Sequence, residues 1–172
     1  VGAPVRRYKL RGSQRMHDTS LIEIDRTALR HNMAVLRRLV GPACRICPVI
    51  KADAYGVGVS HVAGPLATAG ADCFAVYTQD QAADVLAAGT GVPIIVLMPI
   101  RELSRMSELY RALVAELLHL TVHDVEHLAD LERIGRQFGI SLPVHLEVDT
   151  GMHRGGCDTE SSRDVNWQAG ND

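Results

Sequence analysis

Lys51 ends the apolar run Pro48-Val49-Ile50 and opens the stretch Ala52-Asp53-Ala54-Tyr55-Gly56-Val57-Gly58. A lysine at the carboxyl end of a buried strand stands where α/β folds gather their chemistry. Partial loss of water there lowers the pKa of the amine and makes it a nucleophile or a base. Tyr55 brings a hydroxyl to the same rim, and Gly56 and Gly58 let the main chain turn tightly and approach a ligand. Position alone also fits a surface lysine that closes an ordinary strand. The wording of the stretch, taken up below, separates the two readings.

The elements that must hold Lys51 follow from hydrophobic periodicity. Leu21-Ile22-Glu23-Ile24-Asp25 alternates as a half-exposed strand does. Asp25 or Thr27 then caps a helix with an apolar face of Leu29, Met33, Leu36 and Val40, stopped by Gly41-Pro42. The pattern predicts strands at 45–51, 73–77, 93–98, 118–122 and 143–149, and helices at 60–70, 79–88, 102–112 and 124–138. Pro65 disturbs the first of these helices and Gly139 caps the last. Near-continuous apolar strands alternating with amphipathic helices make βα units around a parallel sheet. An open doubly wound sheet and a (β/α)8 barrel read alike at this level.

Composition narrows the class. The 172 residues are 47% hydrophobic with a net charge of −2, as one domain with a real core requires. Such a charge gives no reason to expect nucleic acid or an anionic membrane as partner. Aromatics are 4%, so the core is aliphatic. No apolar run reaches the ~18 residues of a membrane helix. Residues 1–19 carry Arg6, Arg7, Lys9, Arg11 and Arg15 without the apolar core of a secretory signal, and read as a flexible basic leader. Cys44-x-x-Cys47 lacks a second pair at zinc spacing, so no metal is expected and the four cysteines read as reduced and buried. Residues 157–172 read as a divergent polar tail.

Lys51 through Gly58 resembles the pyridoxal-phosphate lysine motif of alanine racemases. Val144-His145-Leu146-Glu147-Val148-Asp149-Thr150-Gly151-Met152-His153-Arg154-Gly155-Gly156 resembles the strand and loop in that family that carry an arginine beside the cofactor. Two ordered blocks are far more specific than either alone. The resemblance spans roughly residues 20–160 and decides for the barrel. It implies an incomplete (β/α)8 barrel of about five βα units, with a partial cofactor-binding barrel over 20–156 and no C-terminal β-domain. Lys51 would end strand one and Asp149 strand five.

The resemblance further implies pyridoxal 5'-phosphate as cofactor and Lys51 as both its covalent anchor and the base acting on the D-enantiomer. Tyr55 would hydrogen-bond the cofactor phosphate. Arg154 would contact the phenolic oxygen of the cofactor and the carboxylate of the substrate, roles that suit a permanently charged planar fork. Glu147 stands where several relatives carry a carbamylated lysine, itself an anion, and is expected to pair with Arg154 and aim it. Val57 stands where many relatives have histidine. Asp149 and Thr150 are expected to shape the turn, and His119, His123 and His145 to be structural. The implied activity is interconversion of L- and D-alanine for peptidoglycan, in the cytoplasm, by a homodimer with shared active sites. Other fold-type III pyridoxal-phosphate enzymes, such as a broad-specificity racemase, a D-threonine aldolase or a D-serine dehydratase, stay open, as does a non-catalytic remnant.

The departures are as informative. A barrel of this type needs eight strands and ~250 residues, and five strands are legible. In the family the second base is a tyrosine from the partner subunit's C-terminal domain. That domain, the late-strand phosphate loops and the arginine facing the pyridine nitrogen have no counterpart in these residues. The chain is therefore expected to be a truncated racemase, inactive on its own.

Overall fold

The computed structural model describes residues 22–160. The expectations for residues 1–19, and for the tail beyond 160, lie outside the described residues. The elements are α1 (Arg26–Val40), a short helical turn α2 (Lys51–Tyr55), α3 (Val59–Thr68), β1 (Phe74–Val76), α4 (Gln79–Ala87), β2 (Ile94–Val96), α5 (Glu108–Val114), β3 (Leu118–Val122), α6 (Val125–Phe138) and β4 (Val144–Leu146). The strands form one parallel sheet in the order β1-β2-β3-β4. The expected α/β architecture and its βα rhythm are thus present.

The strand expected at 45–51 is reduced to a single bridge, Val49 with Ala75. Its main chain is nonetheless tied to β1: Ala75 donates to the Pro48 carbonyl at 3.0 Å, and Ile50 donates to the Ala75 carbonyl at 2.9 Å. No strand forms over residues 22–25. Asp25 serves instead as the cap of α1, accepting from the amides of Thr27 at 2.8 Å and Ala28 at 3.1 Å. Of the four residues expected on the apolar face of α1, Met33 is buried, while Leu36 and Val40 are exposed. The helix expected over 102–112 forms later, because the Ser107 side chain is the one that caps α5, by accepting from the Tyr110 amide. Pro65 is accommodated inside α3, and Gly139 ends α6 in a left-handed conformation, as the spacing predicts.

Alternation along the strands decides what each face does. Phe74, Val76, Ile94, Val96, Leu118, Leu120 and Val122 are buried and pack with Val62, Leu66, Val85, Leu113, Leu131, Ile134 and Phe138 of the helices. The alternate positions, Ala75, Ile95, His119, Thr121 and His145, belong to the opposite face. Thr121 is buried there and donates its hydroxyl to the Val96 carbonyl at 2.7 Å. His119 Nδ1 and His145 Nε2 lie 2.9 Å apart, so each ring satisfies the other across β3 and β4.

The start of the sheet is fastened by one ion pair. The Arg37 guanidinium reaches Asp72 Oδ2 at 2.6 Å, and the same oxygen accepts from the Ile46 amide at 2.6 Å. Arg37 also donates to the carbonyls of Cys44 and of Gly70. Helix α1, the segment leading to Lys51 and the loop before β1 therefore share one anchor. All four cysteines are free. Contrary to the expectation of burial, Cys44 is exposed, because it lies in the turn after Gly41-Pro42 before the sheet begins. Burial and the neighbouring Cys73 push the Cys47 thiol up to about 12, which keeps it protonated and unreactive. Among the described residues no helix is long and apolar enough to cross a membrane.

Candidate active site

Lys51 follows Ile50, which is 4% exposed and hydrogen-bonded to β1, so the lysine emerges where the sheet ends. Its side chain is half-buried, and Nζ stands 5.8 Å from the centre of the Tyr77 ring, the residue that follows β1. Among the described residues Lys51 makes no hydrogen bond or ion pair. An amine held against an aromatic face, with no carboxylate to neutralise it, is available for chemistry. Tyr77 is a site residue that the sequence reading missed. Its signal was its place one step past an apolar strand, level with Lys51 across the bridge between Val49 and Ala75.

The chain leaves Lys51 along an unusual path. Ala52, Asp53, Ala54 and Tyr55 all have left-handed backbones, with φ of 51°, 52°, 54° and 57°. Such a conformation costs an L-residue roughly 1–2 kcal/mol each, so the surroundings must over-determine it. They do so through four bonds. Ala54 donates to Ile50, Gly56 to Ala52 and Gly58 to Asp53 along the main chain, and Asp53 Oδ1 accepts from the Val59 amide at 2.7 Å. Ala54 is also buried. Asp53 thereby ties the turn to the first residue of α3. Gly56 and Gly58 have φ of 82° and 95°, and a Cβ on Gly58 would stand 2.8 Å from His61 Cδ2. We expect Ala52→Val to destabilise the protein by about 1–3 kcal/mol. Exposed substitutions elsewhere fall within about ±0.5. Urea unfolding with an unchanged m-value is the check, and a neutral Ala52→Val would remove the strain argument.

Tyr55 is 63% exposed at the end of this turn, and Arg154 is exposed in the loop after β4. No hydrogen bond or ion pair joins Lys51, Tyr55 and Arg154 to one another among the described residues. Glu147 was expected to pair with Arg154. Its Oε2 lies instead 2.8 Å from His123 Nδ1. The register explains this: Val122 pairs with Leu146, so His123 and Glu147 are level across β3 and β4, whereas Arg154 follows a further turn. His123, read from sequence as structural, is in this sense a rim residue.

The loop carrying Arg154 is shaped by Asp149, as expected of it. Its Oδ1 accepts from the amides of Gly151 at 2.9 Å and His153 at 3.0 Å, and Oδ2 lies 3.1 Å from His153 Nδ1. The Gly151 amide first, then that of His153, hold this carboxyl below the usual carboxylate range. A depressed folded-state pKa means that the stabilisation is present above the unfolded value of about 3.9 and is lost as pH falls through the folded one. Hydrogen exchange of the Gly151 and His153 amides is therefore expected to accelerate, relative to other loops, only below about pH 4. Equal protection at pH 3 and pH 6 would contradict this. The loop returns to β4 through Cys157, which bridges Val148 and exchanges hydrogen bonds with Glu147 and Asp149 at 3.0 and 2.8 Å. A surface cleft lies elsewhere, between the starts of α4 and α5, lined by Asp80, Glu102, Ser104 and Glu108. It contains no nucleophile or base comparable to Lys51.

The model of the family "Alanine racemase, N-terminal domain" matches residues 24–169. An alanine racemase of Syntrophobacter fumaroxidans is 36% identical over 135 residues, which are 78% of this chain and 35% of the relative. The crystal structure of alanine racemase from Corynebacterium glutamicum superposes with a TM-score of 0.67 at 28% identity, covering 81% of this chain and 39% of that one. That of alanine racemase from Bartonella henselae with covalently bound pyridoxal phosphate gives 0.64 at 25%, covering 83% and 38%. The chain thus spans about a third of the length of the curated relative and somewhat more of the solved ones. The chain belongs to the alanine racemase family through its N-terminal domain.

Proposed function

We propose that this sequence provides the cofactor-anchoring part of a pyridoxal-phosphate-dependent amino-acid racemase that interconverts L- and D-alanine. The observation that supports it most is Lys51: a half-buried amine without an anionic partner, at the carboxyl end of the first sheet segment, against the ring of Tyr77. The donor set fits the cofactor. An amine to bind an aldehyde, an aromatic neighbour for a planar ring, a phenol on Tyr55 and a guanidinium on Arg154 answer its carbonyl, ring, phosphate and phenolic oxygen.

When bound, pyridoxal phosphate supplies an electron sink that makes the proton on Cα of an amino acid labile. The protein's share is then position and proton transfer. Lys51 Nζ would hold the cofactor and, on one face of the substrate Cα, would serve as acceptor and donor of that proton. Arg154 fixes the substrate carboxylate. Inversion needs a second acid–base group on the opposite face, which we assign to a tyrosine of a partner subunit, as the family resemblance implies. D-Alanine for peptidoglycan, a homodimer and a cytoplasmic setting belong to the same reading.

Borohydride treatment in the presence of pyridoxal phosphate tests the anchor. The sequence holds two lysines, Lys9 and Lys51. Peptide mapping is expected to place the reduced cofactor on Lys51, and placement on Lys9 would sink the assignment.

A further inference from the structure

Two imidazoles beyond the lysine and arginine blocks carry buried nitrogens that nothing in the fold satisfies. His127, in the first turn of α6, is fully buried, and its Nε2 lies 3.1 Å from the Ile100 carbonyl. A carbonyl only accepts, so Nε2 carries the hydrogen and Nδ1 is a bare lone pair. That Nδ1 is buried without a partner. His123, just past β3, directs Nδ1 at Glu147 Oε2, 2.8 Å away. The carboxylate takes the hydrogen on Nδ1, so in the neutral ring Nε2 is the lone pair, and this atom too is buried and unpartnered. Leaving two acceptors dry is costly. The ring centres are 5.6 Å apart with an interplanar angle of 34°.

Metal-bound imidazoles have a recognisable outer pattern: the nitrogen that does not bind the ion donates to a carboxylate or a backbone carbonyl, which fixes the tautomer. His123 uses a carboxylate for this and His127 a carbonyl. Two imidazoles sharing one ion at nitrogen distances of about 2.0–2.1 Å have ring centres roughly 4.5–6.5 Å apart. The observed spacing lies inside that window. The spacing His123-x-x-x-His127 also puts both on one side of the junction between β3 and α6, where the Asp124 side chain fixes the turn by accepting from the His127 amide at 2.6 Å. By contrast, His119 and His145 spend their facing nitrogens on each other. We propose that His123 Nε2 and His127 Nδ1 bind one divalent transition-metal ion, with Glu147 and the Ile100 carbonyl as outer partners and water completing the coordination. Among the described residues no third protein ligand joins them. An open two-imidazole site favours Cu(II) over Zn(II) by the general affinity order. This inference does not depend on the cofactor reading.

The test is titration of the full 172-residue chain with Cu(II) alone, and separately with Zn(II), followed by calorimetry and electron paramagnetic resonance. One equivalent of Cu(II) is expected, with hyperfine coupling to two imidazole nitrogens. Glu147→Gln should keep the stoichiometry and weaken binding about tenfold or more. His123→Gln and His127→Gln should each lose more than that, while the double variant His119→Asn/His145→Asn should bind as the parent does. His127 is buried and its variant is prone to unfold, so His123→Gln at the strand end carries the decision if circular dichroism shows that loss. Absence of stoichiometric binding, meaning a buried water fills the place, would overturn the proposal. So would binding untouched by His123→Gln, or binding abolished in the His119/His145 variant.

Discussion

Lys51→Ala is expected to leave a folded protein that no longer retains pyridoxal phosphate covalently or exchanges the α-proton of alanine. Folding should survive because the side chain is only half-buried and stands against the Tyr77 ring at 5.8 Å. An exposed cation–aromatic contact contributes about 0.5–1 kcal/mol, which bounds the loss. The chemistry has no such cushion. One amine is assigned as both anchor and base, and a positioned base alone accounts for about 10²–10⁴ in rate. Lys9 is the other lysine of the sequence, and among the described residues no second lysine can substitute. Exchange of the Cα hydrogen of D-alanine in deuterated water, followed by proton NMR on the polypeptide carrying this sequence, measures the effect. Exchange in Lys51→Ala within tenfold of the parent would remove Lys51 from the mechanism.

How much of this site was legible depends on how local each feature is. The place of Lys51 was legible because an apolar run ending in lysine and glycines is a local pattern. The βα rhythm was legible for the same reason, through the period of the buried residues. The left-handed course of Ala52-Asp53-Ala54-Tyr55 was not, since none of these residues is a glycine and its supports, the Asp53–Val59 bond and burial of Ala54, are set by packing. The partner of Glu147 depended on strand register. The resemblance suggested Arg154, but parallel pairing of β3 with β4 put His123 opposite. Likewise α1 reads as a helix with one continuous apolar stripe, yet Leu36 at 46% and Val40 at 44% exposure stay outside the packed layer. Periodicity tells which residues share a face; it does not tell how far the neighbouring layer extends along it.

Register is also what the strap after β4 depends on, and Gly156→Ala is expected to break it. Gly156 has φ of 92°, and a Cβ there would stand 2.8 Å from the Glu147 carbonyl oxygen, 2.9 Å from its Cγ and 3.0 Å from its carbonyl carbon. Two of these atoms are main chain in a hydrogen-bonded segment, so they have little room to give. Relief requires moving Cys157, whose amide donates to that same Glu147 oxygen and whose carbonyl accepts from Asp149. The left-handed backbone adds about 1–3 kcal/mol of strain for a non-glycine residue, and forcing a methyl into filled space a further 1–3 or so, so a loss of about 2–6 kcal/mol is expected. Gly151→Ala is the matched comparison: its φ is 126°, but no heavy atom lies within 4 Å of the added methyl. It should lose only the strain portion. The functional consequence follows from what the strap joins. Arg154 lies between Gly151 and Gly156, and Glu147 holds His123, so a shifted strap moves the arginine and loosens the Glu147–His123 pair together. In urea melts Gly156→Ala should fall below Gly151→Ala by at least about 1 kcal/mol. The chemical shifts of the His123 ring protons should move by NMR in the first variant and not in the second. Equal melts and unmoved His123 ring shifts would mean that the return of the loop to β4 does not set the geometry of this rim.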